Sequence, residues 1–205
     1  MRQENMVNTG RARGFTLIEM LVVIVIVGIL IAVSAPALDG ILRASRLTSA
    51  ADNVRNYLSE AQQLAVAQNV EVEVRFCESV SGTSGDDTPR VRTLRTFALR
   101  SNDGGAGDYL PEGSPLRLDD ALVMSSVPKF SSLLSRPFKT VTDGTEERYA
   151  SFHFFPDGST DLPPGQLWFL TLFEERHAAA DGSAPANFVT IQIHPTSGKL
   201  RTFRP

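Results

Sequence analysis

The chain has 205 residues, a formal net charge of −3 and one cysteine, Cys77. Because residues 1–14 contain three arginines and one glutamate, residues 15–205 carry a net charge of −5, which argues against a basic surface for nucleic acid. One thiol can form neither an intramolecular disulfide nor a cysteine-based metal site, so we expect Cys77 to be a small apolar residue at a strand end. The length allows one membrane helix and one globular domain.

The first predicted element is an apolar segment, in which residues 20–38 contain no charged side chain. This is close to the roughly 20 residues that a helix needs to cross a bilayer. The run is too long for a cleaved secretory signal peptide, and Arg11 and Arg13 before it predict a cytoplasmic N-terminus. The anomaly is Glu19, because a carboxylate inside such a helix costs about 2.5–3.5 kcal/mol on insertion scales.

The residues around this carboxylate, RGFTLIE at 13–19, resemble the type IV prepilin motif. The resemblance implies that prepilin peptidase cleaves between Gly14 and Phe15, that Phe15 is N-methylated, and that the chain assembles with other pseudopilins or pilins on an inner-membrane platform. Glu19 would then lie about 6 Å along the helix from Phe15. Since a buried carboxylate needs a counter-charge, we interpret Glu19 as an assembly residue that pairs with the Phe15 ammonium of a neighbouring subunit.

A second helical segment follows Pro36, which we expect to kink the helix because the helical pattern resumes beyond it. From about Ile41 to Gln68, apolar residues recur at spacings of three and four along one stripe. The stripe consists of Ala44, Leu47, Ala51, Val54, Leu58, Ala61 and Ala65. We therefore predict a leader at 1–14, a transmembrane and assembly helix at 15–38, its amphipathic continuation at 39–69 and a β-rich head domain at 70–205.

The head domain begins where the period changes from 3.6 to 2, since apolar and charged residues alternate over 70–76 as in a half-buried strand. A long helix followed by strands predicts an α+β domain, in which an antiparallel sheet packs on the second half of the helix. Further strands are predicted at 91–100, within 116–124, and at 151–155, 166–173, 188–194 and 199–203, with a helical turn at 129–134 and loops at 79–89 and 101–115.

Two turns stand out near the C-terminus: a tight turn at Asp157-Gly158 and a hairpin turn that contains Gly198. With their flanking segments, they resemble the C-terminal pattern of the GspH/FimT minor pseudopilins. The segments concerned are FHFFPDGST at 152–160, VTIQI at 189–193 and SGKLR at 197–201. ANFVTIQI at 186–193 is also similar to the Verru_Chthon cassette protein D family.

Catalytic and ligand-binding alternatives find little support. The histidines, His153, His177 and His194, lack metal-ligand spacing and no nucleophile elbow is present, so we expect no enzymatic activity, cofactor or metal. Calcium binding by loop aspartates is an open alternative, although no EF-hand spacing occurs. These aspartates are Asp86, Asp87, Asp103, Asp108, Asp119 and Asp120. The only local basic run, Arg90, Arg92, Arg95 and Arg100, alternates between strand faces, so no nucleic-acid partner is expected.

The sequence thus predicts a minor pilin-like subunit of a type II secretion pseudopilus or a type IV pilus-like fibre. It would cross the bacterial inner membrane once, in contact with lipid, with its head domain in the periplasm. Two alternatives stay open: a membrane-anchored extracytoplasmic binding module that does not polymerise, and a DNA-binding subunit carried by a pilus.

Overall fold

The computed structural model describes residues 14–79, 88–101, 107–142, 146–175, 185 and 187–204, with the side chains of 33–39, 141, 142, 146 and 147 left out. Within these residues there is one α-helix, α1, which spans Leu17–Gln68. The chain forms two compact units, residues 1–43 and residues 44–205. The expected kink at Pro36 falls among the side chains that are not described and stays a prediction.

The first unit contains the beginning of α1. Its apolar side chains from Phe15 to Ile31 are exposed in the isolated chain, and they point to all sides of the helix. Within the part of the chain whose side chains are described, no helical segment combines the length and the apolarity of a membrane span.

The second unit, residues 44–205, is an α+β domain, in which the C-terminal part of α1 packs on an antiparallel sheet. From here on, the name head domain refers to this unit. The strands are β1 (Val72–Ser79), β2 (Arg90–Arg100), β3 (Asp108–Arg117), β4 (Leu122–Met124), β5 (Lys139–Thr142), β6 (Glu146–Phe154), β7 (Trp168–Glu174), β8 (Phe188–Ile193) and β9 (Leu200–Phe203). Their spatial order is β5-β6-β1-β2-β4-β7-β8-β9, and β3 pairs with β2. This confirms the fold class predicted from the sequence.

Helix α1 ends at Gln68, and Asn69 directly after it has a positive φ of 54°. The Val70 N–H donates to the carbonyl oxygen of Ala65 at 3.2 Å, as in a Schellman motif. Asparagine tolerates this left-handed conformation better than most residues. The chain therefore turns at the end of the helix directly into β1.

The core lies between the apolar stripe of α1 and the inner face of the sheet. All members of the predicted stripe except Ala44 are buried. The register places Phe154, Val72 and Ala98 in one row across β6, β1 and β2, because Val72 is paired with both other residues. On the other side of the domain, Leu170 and Ile191 form an equivalent pair. Helical and strand periodicity thus meet in one core. Cys77 is buried, but it is paired with Tyr149 of β6 and lies outside this core.

Some of the predicted elements were wrong or incomplete. Residues 101–115 were predicted to be a loop, but β3 begins at Asp108, because a strand that is paired along one edge tolerates the prolines at 111 and 115. Strand β5 was missed, and the helical turn predicted at 129–134 is a 3₁₀ turn at Leu133–Ser135. Glu73 was expected on the exposed face of a half-buried strand, yet it is 2% exposed.

Candidate functional site

The motif at the start of α1 is a capping box. Thr16 immediately precedes the helix and Glu19 lies in its first turn. Glu19 Oε2 accepts hydrogen bonds from the Thr16 backbone N–H and from Thr16 Oγ1, both at 3.0 Å. The Glu19 backbone N–H donates in return to Thr16 Oγ1 at 3.3 Å. Two backbone donors that have no partner in a bare helix end are therefore satisfied within the chain.

This geometry gives Glu19 a role that was not predicted from its position in the apolar run. Threonine followed three residues later by glutamate is a signal for a helix start, so the sequence could have revealed it. In the described part of the chain, only Oε2 of the carboxylate is engaged, and Oε1 makes no hydrogen bond. Gly14 and Phe15 lie just before the helix, and a Cβ added at Gly14 would meet no atom within 4 Å.

The helix segment that follows the capping box exposes apolar side chains on all of its sides. Every large apolar residue between Phe15 and Ile31 is at least 47% exposed. A helix that is apolar on all sides requires a partner or an apolar medium around it, and monomeric soluble proteins rarely expose such a surface. The isolated chain therefore presents a surface that another helix or a lipid phase would cover.

The two C-terminal turns meet at one residue of α1, Gln62. Its Nε2 donates to the carbonyl oxygen of Gly158 at 2.8 Å and to that of Ser197 at 2.9 Å. Gly158 and Gly198 have φ of 81° and 60°, a region that favours glycine. A Cβ on Gly198 would overlap Gln62 Nε2 and lie 2.5 Å from the Gly158 carbonyl oxygen. We call Gln62, Gly158, Ser197 and Gly198 the turn lock.

Asp157 shapes the first of these turns. Its Oδ1 accepts hydrogen bonds from the Ser159 hydroxyl at 2.6 Å and from the Ser159 backbone N–H at 2.9 Å. These hydrogen bonds hold the pKa of the Asp157 carboxyl below its usual value. The carboxylate replaces a backbone acceptor in the turn. The structure thus brings Gly158 and Gly198 together as parts of one packing arrangement, while Asp157 stabilises the turn that contains Gly158.

A charged cluster, which was not predicted from the sequence, lies on the sheet face opposite to α1. Buried Glu73 pairs with Arg75 at 2.6 Å and lies 3.7 Å from Lys139. The Arg75 guanidinium is 3.7 Å from the centre of the Phe97 ring. His153 Nε2 lies 3.9 Å from the nearest Glu73 oxygen. The face of β1 that was expected to be exposed is therefore buried, and it forms a second interior region that contains polar and charged side chains.

Asp161 and Tyr109 complete this cluster. Asp161 accepts hydrogen bonds from the His153 backbone N–H at 2.8 Å and from both terminal nitrogens of Arg136. Burial opposes ionisation of Asp161, but its hydrogen bonds with His153 and Arg136 outweigh that cost and hold its pKa well below the usual value. Burial and the hydrogen bond to Glu71 raise the pKa of Tyr109. The carboxylates of Glu71, Glu73 and Asp161 are thus all paired with groups of the fold.

The remaining residues considered from the sequence are dispersed. Arg90 and Arg92 both contact Glu175, and Arg100 pairs with Glu112 at 2.9 Å, so three members of the basic run are engaged within the fold. Among the residues that the structure describes, no group of three or more His, Cys, Asp or Glu side chains could hold a metal ion. Of the other sequence candidates, His177, Asp86, Asp87 and Asp103 lie outside the described residues.

Comparisons with known proteins agree with the N-terminal part of this picture. The prokaryotic N-terminal methylation motif matches residues 9–35, which confirms the prediction of a prepilin-type N-terminus. No curated protein is detectably similar to the chain.

The solved structures that match the chain include a minor pseudopilin and a minor pilin. The minor pseudopilin EpsH from the type II secretion system of Vibrio cholerae is 13% identical, with a TM-score of 0.46 over 80% of this chain and 96% of that one. The type IV minor pilin FimU of Pseudomonas aeruginosa is also 13% identical, with a TM-score of 0.42 over 78% of this chain and 93% of that one. Similarity at this level carries no argument about function.

Proposed function

We propose that the chain is a prepilin-like minor subunit, which is processed between Gly14 and Phe15 and assembles through its N-terminal helix into a pseudopilus or a pilus-like fibre. The observation that carries this proposal is the methylation motif at residues 9–35, with Thr16 and Glu19 arranged as a capping box inside it. Residues 15–38 would hold the subunit in the inner membrane before assembly, with residues 1–14 cytoplasmic and the head domain in the periplasm.

The capping box supports this proposal because a helix that begins near a lipid phase needs hydrogen-bond partners for the backbone N–H groups of its first turn. Unsatisfied backbone N–H groups cost several kcal/mol in hydrocarbon, and Thr16 and Glu19 satisfy two of them without any partner. The exposed helix start can therefore remain folded while the subunit waits in the membrane. Glu19 then acts first within its own chain.

The same carboxylate can act again during assembly. Its Oε1 makes no hydrogen bond in the described part of the chain, so it is available to a cation of a neighbouring subunit. After cleavage, the nearest such cation in an equivalent subunit would be the methylated Phe15 ammonium. Pairing would offset the cost of burying the carboxylate between packed helices. Glu19 would thus cap the helix through one oxygen and set the assembly register through the other.

The finer assignments are part of the proposal. The turn motifs at Asp157, Gly158 and Gly198 favour a subunit of the GspH/FimT type, and similarity to the Verru_Chthon cassette protein D family stays a prediction. The partners would be prepilin peptidase, other pilins or pseudopilins, the inner-membrane assembly platform and membrane lipid. The absence of enzymatic activity and of a nucleic-acid partner also stay predictions.

Processing is tested by mass spectrometry of the chain isolated from cells with and without prepilin peptidase. We expect loss of residues 1–14 and a methylated Phe15 only when the peptidase is active. Gly14→Leu should leave the precursor uncleaved, because the peptidase must approach the backbone at the scissile bond. An intact N-terminus in the presence of active peptidase would contradict the proposal.

Assembly is tested by introducing cysteines into the N-terminal helix and measuring cross-links between adjacent subunits. The cells must carry the complete secretion or pilus apparatus. Glu19→Ala removes both the cap and the charge, whereas the matched variant Thr16→Val removes the hydroxyl of the cap and keeps the charge. We expect both variants to be cleaved and Glu19→Ala alone to lose most of its cross-links. Equal losses would reduce Glu19 to a helix cap, and wild-type cross-linking of Glu19→Ala would favour an anchored module that does not polymerise.

A further inference from the structure

Two adjoining clefts lie at one end of the head domain, where loop 163–167 meets the turn between β8 and β9. The clefts have volumes of about 320 Å³ and 300 Å³ and share Gln192 and His194. Gln192 is paired across β8 and β9 with Arg201, so their side chains point to the same face of the sheet. We call the combined feature the distal cleft.

One half of the distal cleft is apolar and preformed. Pro164, Leu167 and Pro195 line it, and Leu167 is 67% exposed. The loop is fixed at both ends, because Ser132 Oγ donates to the carbonyl oxygen of Leu167 at 2.9 Å and Trp168 Nε1 donates to that of Pro163 at 2.9 Å. A fixed wall of this kind loses little entropy when a ligand side chain packs against it.

The other half is cationic. Lys199 and Arg201 line it with exposed side chains, and within the described residues neither side chain makes a hydrogen bond or an ion pair. This differs from Arg92, Arg100 and Arg136, which all pair with carboxylates of the fold. Two uncompensated cations beside an apolar wall, in a chain whose residues 15–205 carry a net charge of −5, are complementary to a ligand that combines negative charge with an apolar group.

The cleft lies at one end of residues 44–205, as two contacts of the C-terminal strands with α1 show. Ser197 on its rim is held by Gln62 in α1, whereas Arg204 beyond β9 contacts Thr48 near the beginning of the head domain. Residues 48 and 62 are about 21 Å apart along the helix axis. The distal cleft therefore lies at the end of the head domain that is remote from Ala44, where residues 44–205 begin.

We infer that the distal cleft binds an extended acidic segment of a partner protein. Carboxylates of the segment pair with Lys199 and Arg201, and a neighbouring apolar side chain packs against Leu167, Pro164 and Pro195. A single-stranded nucleic acid fits less well, because the apolar half offers no phosphate contact and two cations make a short track. The inference goes beyond the proposed function and does not depend on assembly into a fibre.

The test measures binding of a fluorescein-labelled octapeptide of alternating glutamate and leucine to the full chain in maltoside micelles, with empty micelles as the blank. Fluorescence anisotropy should show saturable binding. Arg201→Gln and Leu167→Ser should each raise the Kd about tenfold, the effect of losing one interaction of about 1.4 kcal/mol. The matched controls, Arg55→Gln on α1 and Leu110→Ser on β3, remove an exposed cation and an exposed leucine elsewhere and should change the Kd less than twofold.

Three results would overturn the inference. The first is no saturable binding of the peptide, and the second is equal weakening by the control variants. The third is tighter binding of an oligothymidylate of eight nucleotides, weakened by Arg201→Gln and unaffected by Leu167→Ser, which would identify a surface for nucleic acid instead. Replacement of glutamate by glutamine in the peptide should abolish the effect of Arg201→Gln.

Discussion

The apolar residues in the two halves of helix α1 differ in their exposure to solvent. Between Phe15 and Ile31 the apolar residues surround the helix and are exposed. Between Leu47 and Ala65 most of them occupy one stripe that is buried against the sheet, and Tyr57 and Leu64 are partly buried. The first part of the helix therefore needs contacts from outside the chain, whereas the second part packs on the sheet of the same chain. Only the second part contributes to the stability of the head domain.

The largest effect is expected when the same substitution is made in each of the two parts of the helix. Leu58→Ala in the buried stripe should lower the free energy of unfolding of the head domain by about 2–5 kcal/mol, because it leaves a cavity in the core. Leu21→Ala, the same change in the exposed part, should leave that free energy unchanged. The fluorescence of Trp168, the only tryptophan and a core residue, reports unfolding in urea. Similar destabilisation by both variants would contradict the view that only the buried part of α1 stabilises the head domain.

An intermediate effect is expected at the turn lock. Gly198→Ala should destabilise the head domain by about 1–3 kcal/mol, since the added Cβ meets Gln62 and the Gly158 carbonyl oxygen in a left-handed backbone conformation. Gly165→Ala is the matched control, because Gly165 also has a positive φ but its Cβ would meet no atom within 4 Å. The difference between the two variants in urea unfolding isolates the contact with Gln62. Equal effects would mean that backbone strain alone matters.

The smallest effect concerns the charged cluster and depends on pH. The pKa of Asp161 is lowered in the fold, so its stabilisation is complete above the unfolded value of about 3.9 and is lost as the pH falls through the lower folded value. The wild-type head domain should therefore lose more stability below about pH 4 than Asp161→Asn does. Asp52→Asn, at an exposed position of α1, should retain the wild-type acid dependence. Urea unfolding at several acidic pH values checks this, and parallel curves for wild type and Asp161→Asn would contradict it.

Prediction from the sequence succeeded where the pattern is local. The stripe from Leu47 to Ala65 and the alternation around Val72 each follow from one period, so the α+β class could be predicted before any contact was known. The same approach failed at β3, because the prolines and Gly113 in this strand are typical of loops, and only pairing with β2 shows that they lie on a strand.

At the candidate site, Thr16 and Glu19 are three residues apart, and their capping box could be predicted from that spacing. We instead interpreted Glu19 only through a neighbouring subunit. The role of Gln62 could not be predicted, since the carbonyl groups that it binds are 96 and 135 residues away in sequence. Long-range hydrogen bonds of this kind leave no periodic signal.

The prepilin-type N-terminus, the apolar segment after it and the succession of a long helix and several strands could all be predicted from the sequence, because each of them depends on residues close together in the chain. Tertiary contacts were needed to show that Gly158 and Gly198 meet at Gln62 and that Glu73 is buried. They were also needed to show that Lys199 and Arg201 have no carboxylate partner among the described residues. The physical reason is that these features depend on which strand faces cover each other, and pairing between distant strands fixes burial and charge compensation without changing the local pattern of either strand.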